Sequence, residues 1–203
     1  MKKKNTNSSP FPKRKAGIDS RCPWPSNDPL MIKYHDEEWG KPLHDDRRLF
    51  EFLILESFQA GLSWRTILYK RENFRKAFAN FDAKKVSTFD RKKFNSLMKD
   101  AGIIRNRLKI EAAINNAKCF LQLKKEFGSF DKYVWNFTNG KTIINKPKSL
   151  KDLPAKTKIS DAMSEDMGKR GFKFRGSTIC YAFMQAVGIV DDHIVGCDCK
   201  SRK

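Results

Sequence analysis

The chain has 203 residues, of which 39% are hydrophobic, so it is long enough to bury a sizeable core. Lys and Arg total 42 against 23 Asp and Glu, and the net charge of +19 indicates a polyanionic partner or an anionic surface. The longest uncharged apolar run has 15 residues, whereas a membrane-spanning helix needs roughly 20, so we expect no membrane partner.

Residues 1–20 are rich in Lys, Ser, Asn and Pro and carry almost no apolar side chains, which predicts a disordered basic tail. The tail contributes +5 to the net charge and leaves +14 on residues 21–203, which we expect to form one domain. It lacks the apolar core of a secretory signal, so we expect a cytoplasmic protein. The odd number of cysteines, five, then favours free thiols or metal ligands over disulfides.

The segment 21–29 contains three prolines, which exclude a continuous helix and predict an extended, turn-rich path. This segment carries Cys22 and Trp24. The next stretch, 30–39, adds three more candidates for a site: Tyr34, His35 and Trp39.

A helix is predicted from Asp45 or Asp46, either of which can cap its first turn. Leu49, Phe52, Leu53 and Glu56 follow the spacing i, i+3, i+4, i+7, which places the carboxylate of Glu56 on the stripe that faces the core. By frequency, such a glutamate most often lies at the edge of the stripe and reaches water. The alternatives are a satisfied structural network or a pocket that receives a ligand.

The sequence after Glu56 favours the pocket. Residues 59–64, Gln-Ala-Gly-Leu-Ser-Trp, interrupt the helical pattern with small and polar residues beside a large aromatic ring. Such a segment is more typical of a pocket rim than of another turn of a core helix.

The rest of the chain is predicted to be mainly helical, and no stretch shows the regular alternation of a strand. Residues 138–153 are predicted to form a loop with a short helix at 149–152. We expect Ser160 to cap one late helix and Gly188 to end another. The predicted helices cover 66–78, 86–98, 105–127, 160–170 and 178–187.

Four residues near the two ends could form a metal site. His193 and Cys197 are four residues apart, and Cys22 and His35 could complete a tetrahedral set for zinc. Four protein ligands would make such a zinc structural and would join the two ends of the folded chain. The spacing does not match a standard zinc finger, so unrelated positions explain it equally well.

Residues 97–107 are predicted to end one helix, turn at Gly102 and begin a second, basic helix. Backbone amides of such a turn can hold a DNA phosphate, as in helix-hairpin-helix elements. The alternative is an ordinary hairpin of two helices, and the sequence pattern alone favours it.

Four aromatic residues flank these candidate sites, where their rings could stack on a base or a cation. Packing in the core is the usual alternative for such rings. They are Trp24, Tyr34, Trp39 and Trp64.

Several motifs, taken together and in this order, closely resemble the 3-methyladenine DNA glycosylase I family. The resemblance extends from residue 21 to residue 199. The motifs are Arg21-Cys22-x-Trp24, Asp28-Pro29-Leu30, Tyr34-His35-Asp36-x-Glu38-Trp39-Gly40, Leu55-Glu56, Gln59-Ala60-Gly61-Leu62-Ser63-Trp64, Asp100-Ala101-Gly102-Ile103-Ile104-Arg105, Arg170-Gly171-Phe172-Lys173-Phe174, Thr178-Ile179-Cys180-Tyr181 and His193-x-Val195-Gly196-Cys197.

The resemblance implies an all-α, helix-hairpin-helix DNA glycosylase-like fold with a structural zinc site that joins the N- and C-terminal segments. It implies Glu56 as the catalytic residue. The implied zinc ligands are Cys22, His35, His193 and Cys197. The implied base-binding residues are Glu56, Tyr34, Trp24, Trp39 and Trp64. The implied DNA-binding residues are Gly61, Leu62, Gly102 and Arg105.

The resemblance also implies a DNA repair enzyme, a monomer that flips out 3-methyladenine from double-stranded alkylated DNA and releases the free base. The catalytic Asp of the wider superfamily is missing, since no Asp lies between Asp100 and Asp131, and this family shares that departure. Phe58 stands where the family often has a polar residue, so the resemblance leaves the detail of the strand contact there open. The alternatives are a non-catalytic, zinc-stabilised DNA-binding module and an adaptor for acidic proteins.

Overall fold

The computed structural model describes residues 20–201, so the predicted tail lies outside it except for Ser20. The regular structure of the described part is almost all helix, which confirms the predicted all-α class. Its helices are α1 (Pro29–Glu37), α2 (Asp46–Gln59), α3 (Trp64–Tyr69), α4 (Arg71–Ala77), α5 (Ala83–Ser87), α6 (Arg91–Lys99), α7 (Arg107–Phe127), α8 (Phe130–Asn136), α9 (Lys158–Lys169) and α10 (Ser177–Ala186).

Helix α2 lies at the centre and packs against α3, α7, α8 and α10. Asp45 caps it by accepting a hydrogen bond from the Arg48 amide at 2.9 Å. Every residue from 49 to 58 is buried, so the helix is covered on all sides and not only along the predicted stripe. Two acids, Glu51 and Glu56, are therefore buried on one helix.

Two predicted helices are each broken into two. The stretch 66–78 is divided at Lys70, which ends α3 and begins α4. The stretch 86–98 is divided into α5 and α6 because the Asp90 side chain accepts from the Lys93 amide at 2.8 Å and starts a new helix. At Asp90, local capping thus outweighs the continuous helical pattern of the sequence, whereas Lys70 forms no side-chain cap.

The ends of the late helices are close to those predicted. Helix α9 is capped by Thr157 and not by Ser160, although Ser160 completes the cap by accepting from the Thr157 amide at 2.8 Å. Gly188 follows α10 with a φ of +72°, as expected for a residue that ends a helix.

A pair of two-residue parallel strands, β1 (Ile143–Ile144) and β2 (Val190–Asp191), was not predicted. Ile143 pairs with Val190 in this sheet. Two residues are too short to show alternation in a sequence. The pairing fixes the chain just before His193. A short 3₁₀ helix at Leu150–Asp152 lies in the loop predicted at 138–153, close to the short helix predicted there. None of the described helices is long and apolar enough to cross a membrane.

Candidate functional site

A cavity of about 310 Å³ lies beside the C-terminal half of α2. It brings together all the residues predicted for base binding, which come from the segment before α1, from α1 and its end, from α2 and from α3. The cavity is lined by Trp24, Tyr34, Trp39, Glu56, Gln59, Trp64, Leu150, Leu153, Ala182 and Gln185.

Glu56 is the acid of this cavity. Its exposed fraction is only 4%, and its carboxylate accepts no hydrogen bond from any residue between 20 and 201. Burial raises the pKa of Glu56 to about 8. A buried carboxylate without a donor or a cation is costly, so the arrangement suits a ligand that supplies one or both.

Aromatic rings form the walls around this carboxylate. The rings of Tyr34 and Trp64 are 5.0 Å apart, and those of Trp24 and Trp39 are 5.2 Å apart. The indole N–H groups of Trp24 and Trp64 are buried and have no acceptor within the described chain. The pocket therefore offers ring faces and one unpaired acid.

Several lining residues were not predicted. Gln59 is the first residue of the predicted rim, although it was not named among the base-binding residues. Leu150 and Leu153 belong to the distant loop, and Gln185 comes from α10, where its amide donates to Asp192 Oδ2 at 2.7 Å. No local pattern in the sequence relates these residues to Glu56.

The loop that follows α2 lines a second cavity of about 190 Å³. Glu56 and Gln59 line this cavity as well. Gly61 has a φ of +76°, a conformation that strains any other residue, and a Cβ at this position would meet nothing within 4 Å. Leu62 is 41% exposed, so its apolar side chain is accessible from solvent. The loop thus presents an apolar side chain next to open space.

Phe58 does not belong to this exposed loop. Its side chain is fully buried, and its ring lies 4.8 Å from that of Phe74 and 5.8 Å from that of Phe78. The Phe58 side chain therefore points into the core and not toward the exposed face of the loop.

Helices α6 and α7 pack against each other and are joined by an exposed turn, as the pattern at 97–107 predicted. The Gly102 amide donates to Asp100 Oδ1 at 2.8 Å, so this amide is already used within the turn. Arg105 is exposed on the same turn, and Asn106 caps α7. Cationic side chains and the start of α7 are thus the groups that can meet a phosphate here.

A buried cluster of histidine and cysteine side chains could hold a metal ion. One ligand atom from each of His35, His193, Cys197 and Cys199 lies within 4.8 Å of the others. Three of these four residues are among the predicted ligands. The cluster joins the end of α1 to the last described segment of the chain.

Both histidines are oriented in the way that suits a metal. Asp36 and Asp191 lie 2.8 Å from Nδ1 of His35 and His193, respectively. This contact fixes the ring and leaves Nε2 as the ligating nitrogen. Nε2 of His193 is buried and has no hydrogen-bond partner within the described residues, as expected for a nitrogen that can bind a metal.

The predicted ligand Cys22 lies beside the same cluster, where its sulfur accepts from the Ile194 amide at 3.4 Å. Hydrogen bonds from Cys199 and Cys22 lower the pKa of the Cys197 thiol, and those same contacts raise the pKa of the two donors. Cys199 was not predicted, although the Cys-x-Cys pattern at 197–199 was a usable signal. The structure thus offers one more thiol than a four-ligand site needs.

The cluster and the cavity share two walls. Trp24 lies 5.3 Å from the His35 ring, and Trp39 lies 4.7 Å from the His193 ring. A Cβ at Gly40 would come within 2.8 Å of His193, so only glycine fits beside that ring. Any group that orders the cluster therefore also orders the cavity.

A network of buried ion pairs lies on the other side of α2. Glu51 Oε1 accepts from Nε of Arg71 and of Arg75, each at 2.8 Å. Arg71 also donates to both oxygens of Glu38, at 2.7 and 2.9 Å. The sequence gives no sign of this network, because each bonded pair of residues is 20 to 33 positions apart and carries no recognisable motif.

Comparison with known proteins gives a consistent result. The methyladenine glycosylase family matches residues 24–201. DNA-3-methyladenine glycosylase 1 of Escherichia coli (strain K12) is 50% identical over 179 residues, which cover 88% of this chain and 96% of that protein. The corresponding enzyme of Haemophilus influenzae is 47% identical over 184 residues, which cover 91% of this chain and all of that protein.

Solved structures agree in fold. A crystal structure of 3-methyladenine DNA glycosylase I superposes with a TM-score of 0.87 at 49% identity and covers 89% of this chain and 100% of that one. The Staphylococcus aureus enzyme, whose structure addresses 3-methyladenine recognition, superposes with a TM-score of 0.88 at 35% identity and covers 92% of this chain and 100% of that one.

Proposed function

The chain belongs to the methyladenine glycosylase family, and from this premise we propose that it is a DNA repair enzyme that excises 3-methyladenine from double-stranded alkylated DNA. The products are the free base and an abasic site. The observation that carries the proposal is the unpaired carboxylate of Glu56 in a cavity walled by aromatic rings.

The substrate itself supplies much of the reactivity. Methylation at N3 leaves the adenine ring of the nucleotide positively charged, so the glycosidic bond is already weakened. When that bond breaks, its electron pair passes to the base, which leaves neutral, and water adds to the sugar carbon and loses a proton to solvent. Little acid catalysis is needed, in contrast to the excision of a neutral base.

Glu56 is the proposed catalytic and base-recognising residue. Its carboxylate can accept from the exocyclic amine of the base and can favour the positively charged ring. The pKa of about 8 belongs to the empty cavity, and a cation beside the carboxylate lowers that pKa and favours the ionised form. Normal adenine carries no charge and gains nothing from this interaction.

The aromatic walls add a second favourable contribution to binding of the base. Tyr34, Trp24 and Trp64 can stack on the cationic base, and each such contact is worth roughly 0.5–2 kcal/mol. Trp39 closes the same cavity from the side of the His/Cys cluster. Recognition then depends on charge and stacking together, which separates methylated from normal adenine after the nucleotide is flipped out.

We propose that DNA lies across the loop after α2 and the turn before α7. Leu62 is the apolar group that would occupy the space left by the extruded nucleotide, and Gly61 allows the strand to approach closely. On the other side, the turn that contains Gly102 and the exposed Arg105 would contact the phosphates.

We propose that the metal is zinc and that Cys22, His35, His193 and Cys197 hold it, with Cys199 as the adjacent fifth donor. Two sulfur and two nitrogen donors suit a closed, tetrahedral zinc site. Zinc bound there would supply a structural cross-link between the ends of the domain and would take no part in the reaction. Elemental analysis should find about one zinc per chain, and a Cys197→Ser protein should lose zinc, thermal stability and activity together.

The proposed activity is tested by incubating the protein with methylated duplex DNA and measuring free 3-methyladenine by chromatography. Release of that base supports the proposal. DNA binding that weakens steeply with salt, without any base release, would instead indicate a non-catalytic DNA-binding module. We further propose a monomer that acts in the cytoplasm, and sedimentation measurements test the oligomeric state.

A further inference from the structure

Lys109 is a buried lysine that neither the pocket nor the metal cluster uses. It lies in the first turn of α7, and its exposed fraction is 7%. It forms no ion pair with any described acid between residues 20 and 201. A buried ammonium group in this setting is costly unless its N–H groups find acceptors.

The acceptors of Lys109 are backbone carbonyls at the end of α2. Its Nζ donates to Phe58 O at 2.8 Å and to Ala60 O at 2.6 Å. These carbonyls belong to the terminal turn, where a helix has no partners of its own and where a cation is favourable. The residues that follow directly are Gly61 and Leu62.

The same residue is also fixed to the turn between α6 and α7. Its backbone amide donates to Asn106 Oδ1 at 3.1 Å, and Asn106 is the last residue of that turn. One residue therefore touches the two segments that the proposed function places on DNA. No other side chain on α7 donates a hydrogen bond to the 58–62 segment within the described chain.

The loop has few other supports. Leu62 donates its amide to Gln59 O at 2.6 Å, and a Cβ on Gly61 would meet nothing within 4 Å. Phe58 is anchored in the core, but chain direction changes at Ala60, which leaves the helix with a ψ of 117°. The carbonyl that Lys109 holds at Ala60 is thus at the hinge of the loop.

We propose that Lys109 is a positioning residue that fixes the Gly61–Leu62 loop to the phosphate-binding turn. The segment that binds the phosphates and the segment that extrudes the nucleotide are then held in a fixed relative position. This inference rests on the proposed function. The role is mechanical: Lys109 touches neither the base nor the reacting atoms. It acts through Leu62, whose insertion needs a fixed loop.

The test is a Lys109→Met protein, which keeps the length of the side chain and removes the donors. We expect single-turnover excision from duplex DNA to slow by about tenfold to a hundredfold, since misplacing a group by about 1 Å has such effects. Binding of free 3-methyladenine should stay within about twofold of the wild type, because the pocket is unchanged. Lys109→Arg, which keeps the charge and donors, should restore most of the lost rate.

Two control proteins separate this role from charge and from stability. Lys118→Met removes the same charge from an exposed position on the same helix and should leave excision near the wild-type rate. Phe130→Leu destabilises the core at α8, away from the loop, and should lower the melting temperature without slowing excision below that temperature.

A double-mutant cycle with Leu62→Ala identifies the route of the effect. If Lys109 acts through the loop, Leu62→Ala should slow the Lys109→Met protein much less than it slows the wild type. Additive losses, or unchanged excision in Lys109→Met, would overturn the inference. If Lys109→Met does not fold, Lys109→Gln, which retains a donor, takes its place in the same cycle. Absence of excision by the wild type would contradict the proposed function itself. This result is distinct from the two that would overturn the role of Lys109.

Discussion

Glu51 and Glu56 lie five positions apart on α2, and each is only 4% exposed, yet their surroundings are opposite. Glu51 accepts hydrogen bonds from Arg71 and Arg75, and Arg71 is in turn held by both oxygens of Glu38. Glu56 has no partner among the described residues and faces a cavity. Burial alone therefore does not reveal the role of an acid, whereas the presence or absence of a partner does.

The pKa shifts follow the same division. Burial alone would lower the pKa of Arg71, but hydrogen bonds with Glu38 and Glu51 raise it. For Glu56 the only cause is burial, which raises its pKa to about 8. The first site is complete without a ligand, and the second is completed by one.

The largest expected effect comes from breaking the ion-pair network around Glu51. Glu51→Ala leaves the buried guanidinium of Arg71 short of a partner and should lower the free energy of unfolding by about 3–5 kcal/mol. Urea denaturation measures this loss. Excision per folded molecule should be nearly unchanged, because Glu51 does not line the cavity.

Glu72 provides the matched control, since it also pairs with Arg75 but is exposed. Glu72→Ala should cost no more than about 0.5 kcal/mol. Equal losses from Glu51→Ala and Glu72→Ala would mean that burial of the pair contributes little.

The next effect comes from the incomplete site. Glu56→Gln keeps the size of the side chain and removes its charge, so excision should slow by about 10²–10³-fold and binding of free 3-methyladenine should weaken. The melting temperature should stay the same or rise, because the empty cavity no longer holds an unpaired carboxylate. Unfolding of this variant would show that Glu56 belongs to a structural network.

Excision and base binding equal to those of the wild type would place the pocket elsewhere. Glu51→Gln is the natural comparison for this variant, because it makes the same chemical change in the paired site. It should reverse the pattern, with a loss of stability and no loss of base binding.

The pH dependence of stability gives a gradual effect that is small over any one pH unit. The pKa of Glu56 is about 8 in the folded state and near its ordinary value of 4.5 when unfolded, so the native protein keeps a proton that the unfolded chain releases. This contribution favours folding below about pH 4.5 and is lost as the pH rises to about 8, by at most about 1.4 kcal/mol per pH unit. Melting temperatures of wild type and Glu56→Gln should therefore diverge in favour of the variant as the pH rises, and parallel curves would contradict the assignment.

The smallest effect extends the comparison to two tryptophans. Trp135 donates its indole N–H to Leu43 O at 3.1 Å, whereas that of Trp64 has no acceptor in the described chain. Trp135→Phe should cost about 1 kcal/mol for its lost hydrogen bond, beyond any loss of packing. Trp64→Phe should lose less stability but weaken free-base binding a few-fold. Calorimetric unfolding measures the stability losses, and titration with 3-methyladenine measures binding of the free base. Equal stability losses in the two variants would show that the N–H of Trp64 has a hydrogen-bond acceptor.

The sequence by itself determined the all-α class, a helix cap at Asp45 or Asp46, the core-facing position of Glu56 and the break in the helix after it. These are local features, and their causes lie within a few residues of each other. The motif order between residues 21 and 199 added the family, and with it the residues proposed for the zinc site and the base pocket. Local reasoning alone left open whether Glu56 was paired.

Only the tertiary structure decided which acid has partners, because the arginines that pair with Glu51 and the loop that closes the cavity over Glu56 are distant in sequence. It also brought Cys199 to the metal cluster, buried Phe58 and placed Lys109 under the Gly61 loop, 51 and 49 positions from the carbonyls it holds. Hydrogen bonds and ion pairs depend on distances of about 3 Å in space, and spacing along a chain does not encode these once the chain folds back on itself.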